Sequence, residues 1–327
     1  MVYSKIIGLG SYAPLQIIEN DELSKIVETS NEWITTRTGI KERRISSGEK
    51  TYQMAVRAAK EAIENAAIEK EMIDMIILAT ITPDYFTPST ANFVQAELGL
   101  KDIPSFDVSA GCTGFIYGLQ IADQFIKSKQ SKTILVIGVE ALSKITDWSD
   151  RNTCVLFGDG AGAAILQSSD QEGIICTYTG SQGDLQEFLT IPAVPLKNPF
   201  LSHQDNNGRY SIISMNGKEI FKFATRIMIK SISHVLNESN LSMDNIDYII
   251  PHQANIRIID YVSQKLKVER EKFIINLDRF GNTSAASVPL AMNEAYRKNI
   301  FNQGDKIIMV AFGGGLTWGA VLVNWTI

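Results

Sequence analysis

Residues 74–141 repeat in pattern at 247–314. Each copy runs Asp, apolar strand, helix, second strand, small-residue turn, helix, third apolar strand, and self-similarity of this kind marks a duplicated structural unit. In the first copy Thr80 ends the first strand, Cys112 stands in the turn 32 residues later, and VIGVEA follows. In the second His252 ends the strand, Asn282 stands in the turn 30 residues later, and MVAFGG follows. A duplicated unit brings equivalent strand ends together about a pseudo-twofold axis, so Cys112, His252 and Asn282 are expected to meet.

The strand-like runs MIDMIILAT, KTILVIGVEAL, NIDYIIPH and DKIIMVAFGGG alternate with the helix-like runs TYQMAVRAAKEAIENAA and KEIFKFATRIMIKSISHVLNES. That alternation predicts an α/β chain with buried strands. A loop-rich connector is expected over 171–212, where three of the nine prolines fall, dividing the chain into halves 1–172 and 173–327. TSNEW predicts a helix start with Thr29 as N-cap and Glu32 closing a capping box.

A formal charge of −5 argues against a general nucleic-acid surface or an anionic-membrane surface. The N-terminal MVYSKIIGLGSYAP has neither the basic nor the long apolar stretch of a signal peptide, and no apolar run approaches the ~20 residues that span a bilayer. A cytoplasmic address is expected. The three cysteines, Cys112, Cys154 and Cys176, have no C-x-x-C spacing, and the three histidines are not paired at helical spacing. Neither a disulfide framework nor a metal site is suggested.

In DVSAGCTGFIYGLQ the thiol of Cys112 precedes a helix whose apolar positions Phe115, Leu119, Ala122 and Phe125 or Ile126 follow a 3.6-residue period. Backbone N–H groups and the positive end of a helix dipole favour a thiolate there. The competing reading is a buried packing cysteine, which is also the reading for Cys154 and Cys176. His252 in YIIPHQANIR ends a strand where polar residues begin, which suits an acid–base or hydrogen-bonding role as well as a structural one; His203 and His234 carry no such signal. Asn282 in FGNTSAASVPLAM is either a helix cap or a pair of neutral donors for an oxyanion. The glycines of AFGGGLTWG form a tight turn or direct a backbone N–H of Gly314 toward the same oxyanion as the N–H of Cys112. FGDGAGAAIL matches a dinucleotide fingerprint only nominally, because a strand follows where a helix is required, and it reads as a close-packed turn.

DVSAGCTGF, PHQANIR, GNTSAAS and AFGGGLTWG, with KIIGLGSY, TSNEWITTRTGI and FGDGAGAA, closely resemble β-ketoacyl-acyl carrier protein synthase III over nearly the whole chain. The resemblance implies a thiolase-like fold of layered sheets and helices, and an acyltransferase that needs no cofactor. It implies condensation of an acyl-CoA primer, acetyl or longer and branched, with malonyl-acyl carrier protein, giving 3-oxoacyl-acyl carrier protein, CoA and CO2. It implies Cys112 as nucleophile, His252 and Asn282 as the pair holding the malonyl thioester, and the N–H groups of Cys112 and Gly314 as oxyanion hole. Trp33, Arg37, Arg151, Phe221 and Asn255 would bind coenzyme A, Thr87 and Phe312 would border the acyl pocket, and Lys222, Gln253 and Arg257 would meet the acidic carrier protein. A homodimer is implied, with Thr87 reaching the acyl pocket across the interface.

Thr87 stands where several relatives place a bulky aromatic, which predicts tolerance of larger primers; Gly111 and Asn152 also differ from common residues. A degradative thiolase needs a second cysteine, and a hydroxymethylglutaryl-CoA synthase a glutamate, where Asn282 stands. A condensing enzyme of secondary metabolism, a cysteine hydrolase and a non-catalytic acyl-binding scaffold are the remaining alternatives.

Overall fold

The structure, a computed structural model, describes residues 2–184, 186–195 and 211–327. The first half contributes β1 (Tyr3–Tyr12), α1 (Asn31–Thr38), α2 (Thr51–Ala66), β2 (Met75–Ala79), α3 (Thr90–Leu98), β3 (Ser105–Val108), α4 (Gly114–Lys127), β4 (Thr133–Ala141) and β5 (Asp159–Ser169). Its sheet has the order β1-β5-β4-β2-β3. The second half contributes β6 (Ile174–Ser181), α5 (Gly217–Glu238), β7 (Tyr248–Pro251), α6 (Ile256–Leu266), α7 (Ser287–Arg297), β8 (Lys306–Gly313) and β9 (Thr317–Asn324), with the sheet order β7-β8-β9-β6.

The repeat is realised strand for strand. β2 and β4 are parallel, β4 and β5 antiparallel, and β5 and β1 antiparallel. β7 and β8, β8 and β9, and β9 and β6 follow the same three senses. The counterpart of β3 is reduced to a single parallel bridge between Ile249 and Phe273. Strands β2 and β4 are buried at every position, as expected of apolar parallel strands covered on both faces.

Helices α4 and α7 touch strands of both sheets, whereas α2 packs outside the first sheet and α5 outside the second. Two helix layers therefore enclose two sheets around a central helix pair. In α4 the expected periodicity holds: Phe115, Leu119, Ala122 and Ile126 are all buried. Burying each of the larger side chains contributes roughly 1.5–3 kcal/mol, which fixes α4 firmly and with it the turn that precedes it.

Three local expectations are corrected. The cap of α1 is Ser30, whose hydroxyl accepts the Trp33 N–H at 3.1 Å, and not Thr29 with Glu32; either residue has the chemistry, and the backbone turns one residue later. The expected connector contains β6, an edge strand absorbed into the loop reading by the prolines and polar residues that follow it, while His203 lies outside the described residues. The glycines of FGDGAGAA do not form a turn between strands: Gly160 and Gly162 lie within β5, where a Cβ would come within 2.9 Å of Leu290 and 2.6 Å of Pro289 on α7. Their function is close sheet–helix packing.

Candidate active site

Cys112 sits in a one-turn 3-10 helix, Gly111–Thr113, leading into α4. Gly111 has φ +54, and a Cβ there would approach the Gly314 N and O to 3.3 and 3.4 Å. A Cβ on Gly313 would lie 2.7 Å from the Cys112 N. Glycine thus lets the loop after β8 close on the cysteine turn. Thr317 ties them, its hydroxyl donating to Ala110 O or Gly314 O, both at 3.0 Å, and meeting the Thr113 hydroxyl at 2.8 Å.

His252 follows β7 directly, and its N–H extends the parallel ladder to Val310 O at 2.8 Å. Its ring is buried, lies edge-on to Phe312 with centroids 5.2 Å apart, and presents Nδ1 to the Ser287 hydroxyl at 2.7 Å. Asn282 is held by its own backbone, with its N–H bonded to Leu156 O and its carbonyl to the Gly158 N–H. Its Oδ1 accepts the Ser284 N–H at 2.9 Å, so its NH2 is the group left for a ligand. Cys112, His252, Asn282, Ser284, Phe312, Gly313 and Gly314 all line one cavity of about 840 Å³.

The electrostatics depart from the sequence-based expectation at the thiol. Burial pushes the Cys112 thiol up to about 12, and nearby Glu140 adds to the shift; the Ser284 hydroxyl and the local backbone oppose it without prevailing. The helix N-terminus is present, but desolvation in an apolar wall outweighs it. Burial also holds His252 down to about 3, so the imidazole is neutral at any physiological pH.

The same cavity is lined by Leu142, Ile145, Phe157, Ile191 and Ile213, which form an apolar chamber. Thr87 does not line it within its own chain. The cavity shares Leu156, Ile213, Met215, Phe221 and Asn255 with an open depression that also holds Trp33, Arg37, Lys222 and Arg257. The guanidinium groups of Arg37 and Arg151 lie 5.0 and 4.9 Å from the centre of the Trp33 ring. Lys222 is paired with Glu219 at 2.7 Å on the exposed face of α5.

Gln253 differs from its expected role. It is buried, its NH2 donates to Pro251 O and Ile274 O, and its Oε1 accepts the Asn276 N–H. Such a side chain braces the loop behind His252 and has no face for a carrier protein. Sequence reasoning missed three residues of this region: Ser284, Ser287 and Glu140. The single charged residue in VIGVEA was the visible signal for the last of these. Among the described residues no cluster of His, Cys, Asp and Glu could hold a metal ion, and no helix is long and apolar enough to cross a membrane.

Residues 106–183 match the family model for 3-oxoacyl-[acyl-carrier-protein] synthase III, and residues 236–325 the model for its C-terminal part. The chain is 52% identical over 323 residues to the β-ketoacyl-[acyl-carrier-protein] synthase III of Clostridium acetobutylicum, covering 98% of both chains. It is 53% identical over 321 residues to that of Clostridium novyi, again covering 98% of each. The crystal structure of 3-oxoacyl-[acyl-carrier-protein] synthase III from Aquifex aeolicus superposes with a TM-score of 0.91 at 48% identity, over 98% of this chain and 100% of that one. The priming β-ketosynthase of the R1128 polyketide pathway has the same TM-score of 0.91 at 32% identity, over 99% of this chain and 96% of its own. Matched along its whole length in sequence and in fold, the chain belongs to the β-ketoacyl-[acyl-carrier-protein] synthase III family, a thiolase-fold family of condensing enzymes.

Proposed function

We propose that this chain condenses an acyl-CoA primer with malonyl-acyl carrier protein, releasing CoA and CO2 and initiating fatty acid synthesis. The observation that carries the reading is the meeting of one thiol, one neutral imidazole and one oriented carboxamide on the wall of a single cavity. Cys112 attacks the primer thioester and becomes acylated. The tetrahedral oxyanion is held by the N–H groups of Cys112 and Gly314. The malonyl thioester carbonyl then sits between His252 and Asn282, which donate hydrogen bonds to its oxygen as CO2 departs and the enolate forms. Two neutral donors suit that step, because each stabilises the oxygen without carrying an acidic proton that would quench the enolate before it attacks.

The open depression receives coenzyme A, with Trp33, Arg37 and Arg151 at its nucleotide end and Phe221 and Asn255 along the pantetheine channel. Lys222 and Arg257 form the rim for an acidic carrier protein. The apolar chamber and Phe312 surround the acyl group. The protein works as a cytoplasmic homodimer of two thiolase-like halves per chain, 1–172 and 173–327, without a cofactor, and Thr87 acts on the partner's chamber.

Intact mass after incubation with a panel of acyl-CoAs tests this directly, in wild type and Cys112→Ser, followed by a chase with malonyl-acyl carrier protein. A single adduct absent from the variant and discharged into 3-oxoacyl-carrier product is expected. Discharge by water alone would favour a hydrolase, and no adduct with any primer would overturn the assignment of the nucleophile.

A further inference from the structure

Arg43, in the short strand Glu42–Ile45, is fully buried, and the reaction described above gives it no task. Its Nη1 donates to Ile18 O at 3.1 Å and to Asn20 Oδ1 at 2.9 Å, and its Nη2 to Val155 O at 2.8 Å, while Nε has no partner among the described residues. Burial pulls the guanidinium down to about 10, so it stays charged at physiological pH. A buried cation whose three bonds all go to neutral oxygens is costly to keep. The segments it joins show what it secures.

Val155 leads into 156–158, the stretch against which Asn282 is set. The Asn282 N–H donates to Leu156 O at 2.8 Å, the Gly158 N–H donates to Asn282 O at 3.0 Å, and Phe157 and Asn282 form a parallel bridge. The stem of Arg43 packs on the same contact: a Cβ on Gly158 or on Gly281 would lie 3.3 Å from Arg43 Cβ, and Gly281 has φ +64, a conformation glycine adopts freely. With its guanidinium Arg43 thus holds the stretch that receives Asn282, and with its stem it abuts the residue before Asn282. The other end of the fork is equally fixed. Asn20, also buried, donates through Nδ2 to Ile40 O at 2.8 Å and to Asn31 Oδ1 at 3.0 Å, which leaves its Oδ1 turned to Arg43.

We propose that Arg43 is the positioning residue for Asn282, setting where the carboxamide meets the malonyl thioester by tying Val155 to the buried frame of Ile18 and Asn20. The inference rests on the reading of Asn282 as a donor in the malonyl half-reaction. Arg43 lines neither the cavity nor the depression beside it, so it acts through Asn282 and not on substrate. The bond from the Ser284 N–H to Oδ1 sets which way the carboxamide faces, and Arg43 sets where its main chain lies. A planar fork addresses three oxygens on two chain segments at once, which an ammonium on a flexible stem does not reproduce. Cys112 and Gly314 are placed by other elements, the turn before α4 and the loop after β8. Arg43 therefore bears on one half-reaction only.

The test is single-turnover measurement of both half-reactions in wild type, Arg43→Lys, Asn282→Ala and the double variant. Arg43→Lys is expected to slow discharge of the preformed acyl-enzyme by malonyl-acyl carrier protein roughly tenfold, while acylation of Cys112 at saturating acyl-CoA stays within about twofold of wild type. In the Asn282→Ala background the same substitution is expected to cost nothing further, because the group it positions is gone. Hydrogen exchange read by mass should quicken in peptides spanning 155–158 and 280–283 and not in those of α4. Equal slowing of both half-reactions, an unchanged malonyl half-reaction, or the same loss with Asn282 already removed would overturn the proposal. If Arg43→Lys does not fold, Asn20→Ala removes one anchor of the fork and leaves the guanidinium in place. It is expected to slow the malonyl half-reaction severalfold when Asn282 is present and not when it is absent, and an equal effect in both backgrounds overturns the proposal as well. If Asn282→Ala alone discharges at the wild-type rate, the reading of Asn282 as a donor fails, and this inference with it.

Discussion

The Ser287 hydroxyl lies 2.7 Å from Nδ1 of His252, and the same oxygen accepts the Gln253 N–H at 3.4 Å. The proposed reaction needs the ring's proton on Nε2, which assigns the Ser287 hydroxyl as the donor to Nδ1 and His252 as an Nε2–H donor to the enolate oxygen. Ser287→Ala is expected to slow the malonyl half-reaction roughly tenfold while acylation of Cys112 by acyl-CoA is unchanged, consistent with the loss of one neutral hydrogen bond that orients the ring. Single-turnover measurement of the two halves separates them, and nitrogen NMR of the imidazole reads the tautomer itself.

His252 is held at about 3 by burial, against about 6.5 in an unfolded chain. The unfolded state therefore binds a proton between those values that the folded state refuses, and stability falls as pH falls through that window. Denaturant unfolding of wild type and His252→Phe is expected to diverge by up to ~1.4 kcal/mol per pH unit between pH 6 and 4, wild type losing more. The malonyl half-reaction of a preformed acyl-enzyme should show no histidine limb between pH 6 and 8. A limb near 6.5 would mean the ring is solvated during turnover.

Glu140 has the opposite sign. Its folded value of about 7 lies above the ordinary carboxyl value, so its contribution to stability is full at low pH and lost as pH rises toward 7. Glu140→Gln, which keeps the shape and the acceptor oxygen, is expected to gain on wild type by about 3 kcal/mol between pH 5 and 8. Thermal or urea unfolding across that range gives the difference.

What could be read from sequence alone follows the range over which each signal acts. The period in α4 and the repeat that pairs Cys112 with Asn282 are carried by local pattern, and both survive in the structure. The thiol's environment is not local: residues 81, 145, 191 and 213 line the cavity from four separate segments, and burial of the thiol outweighs the effect of the helix end. Gln253 misled for a related reason. It follows His252 in a polar string that reads as surface, yet Pro251, Ile274 and Asn276 take up all of its amide inside the molecule.

Trp33 carries two guanidinium groups over one ring, from Arg37 on the same helix and from Arg151, which is anchored by a bond to Glu28 O at 3.0 Å. A purine stacked there gains both an aromatic face and cationic edges, and loses both when the ring is removed. Trp33→Ala is expected to raise KM for acyl-CoA roughly tenfold with little change in kcat. Acyl-pantetheine, which has no nucleotide, should react equally with both proteins.

Leu142, Ile145 and Ile213, all buried in one apolar cluster, line the cavity that holds Cys112. Ile145→Phe fills space that a longer primer would need, and an overfilled apolar site rejects ligands by more than the added contacts return. Acetyl-CoA is expected to acylate this variant at close to the wild-type rate, while branched and longer acyl-CoAs slow by more than tenfold. Thr87→Phe tests the same volume from outside, since Thr87 lies off the cavity of its own chain. It should narrow primer choice only if the protein is a dimer that brings Thr87 to its partner's chamber. Competition between acetyl-CoA and a branched acyl-CoA, read by intact mass, distinguishes the two effects: unchanged preference in Thr87→Phe beside a narrowed one in Ile145→Phe would place the determinant wholly within one chain.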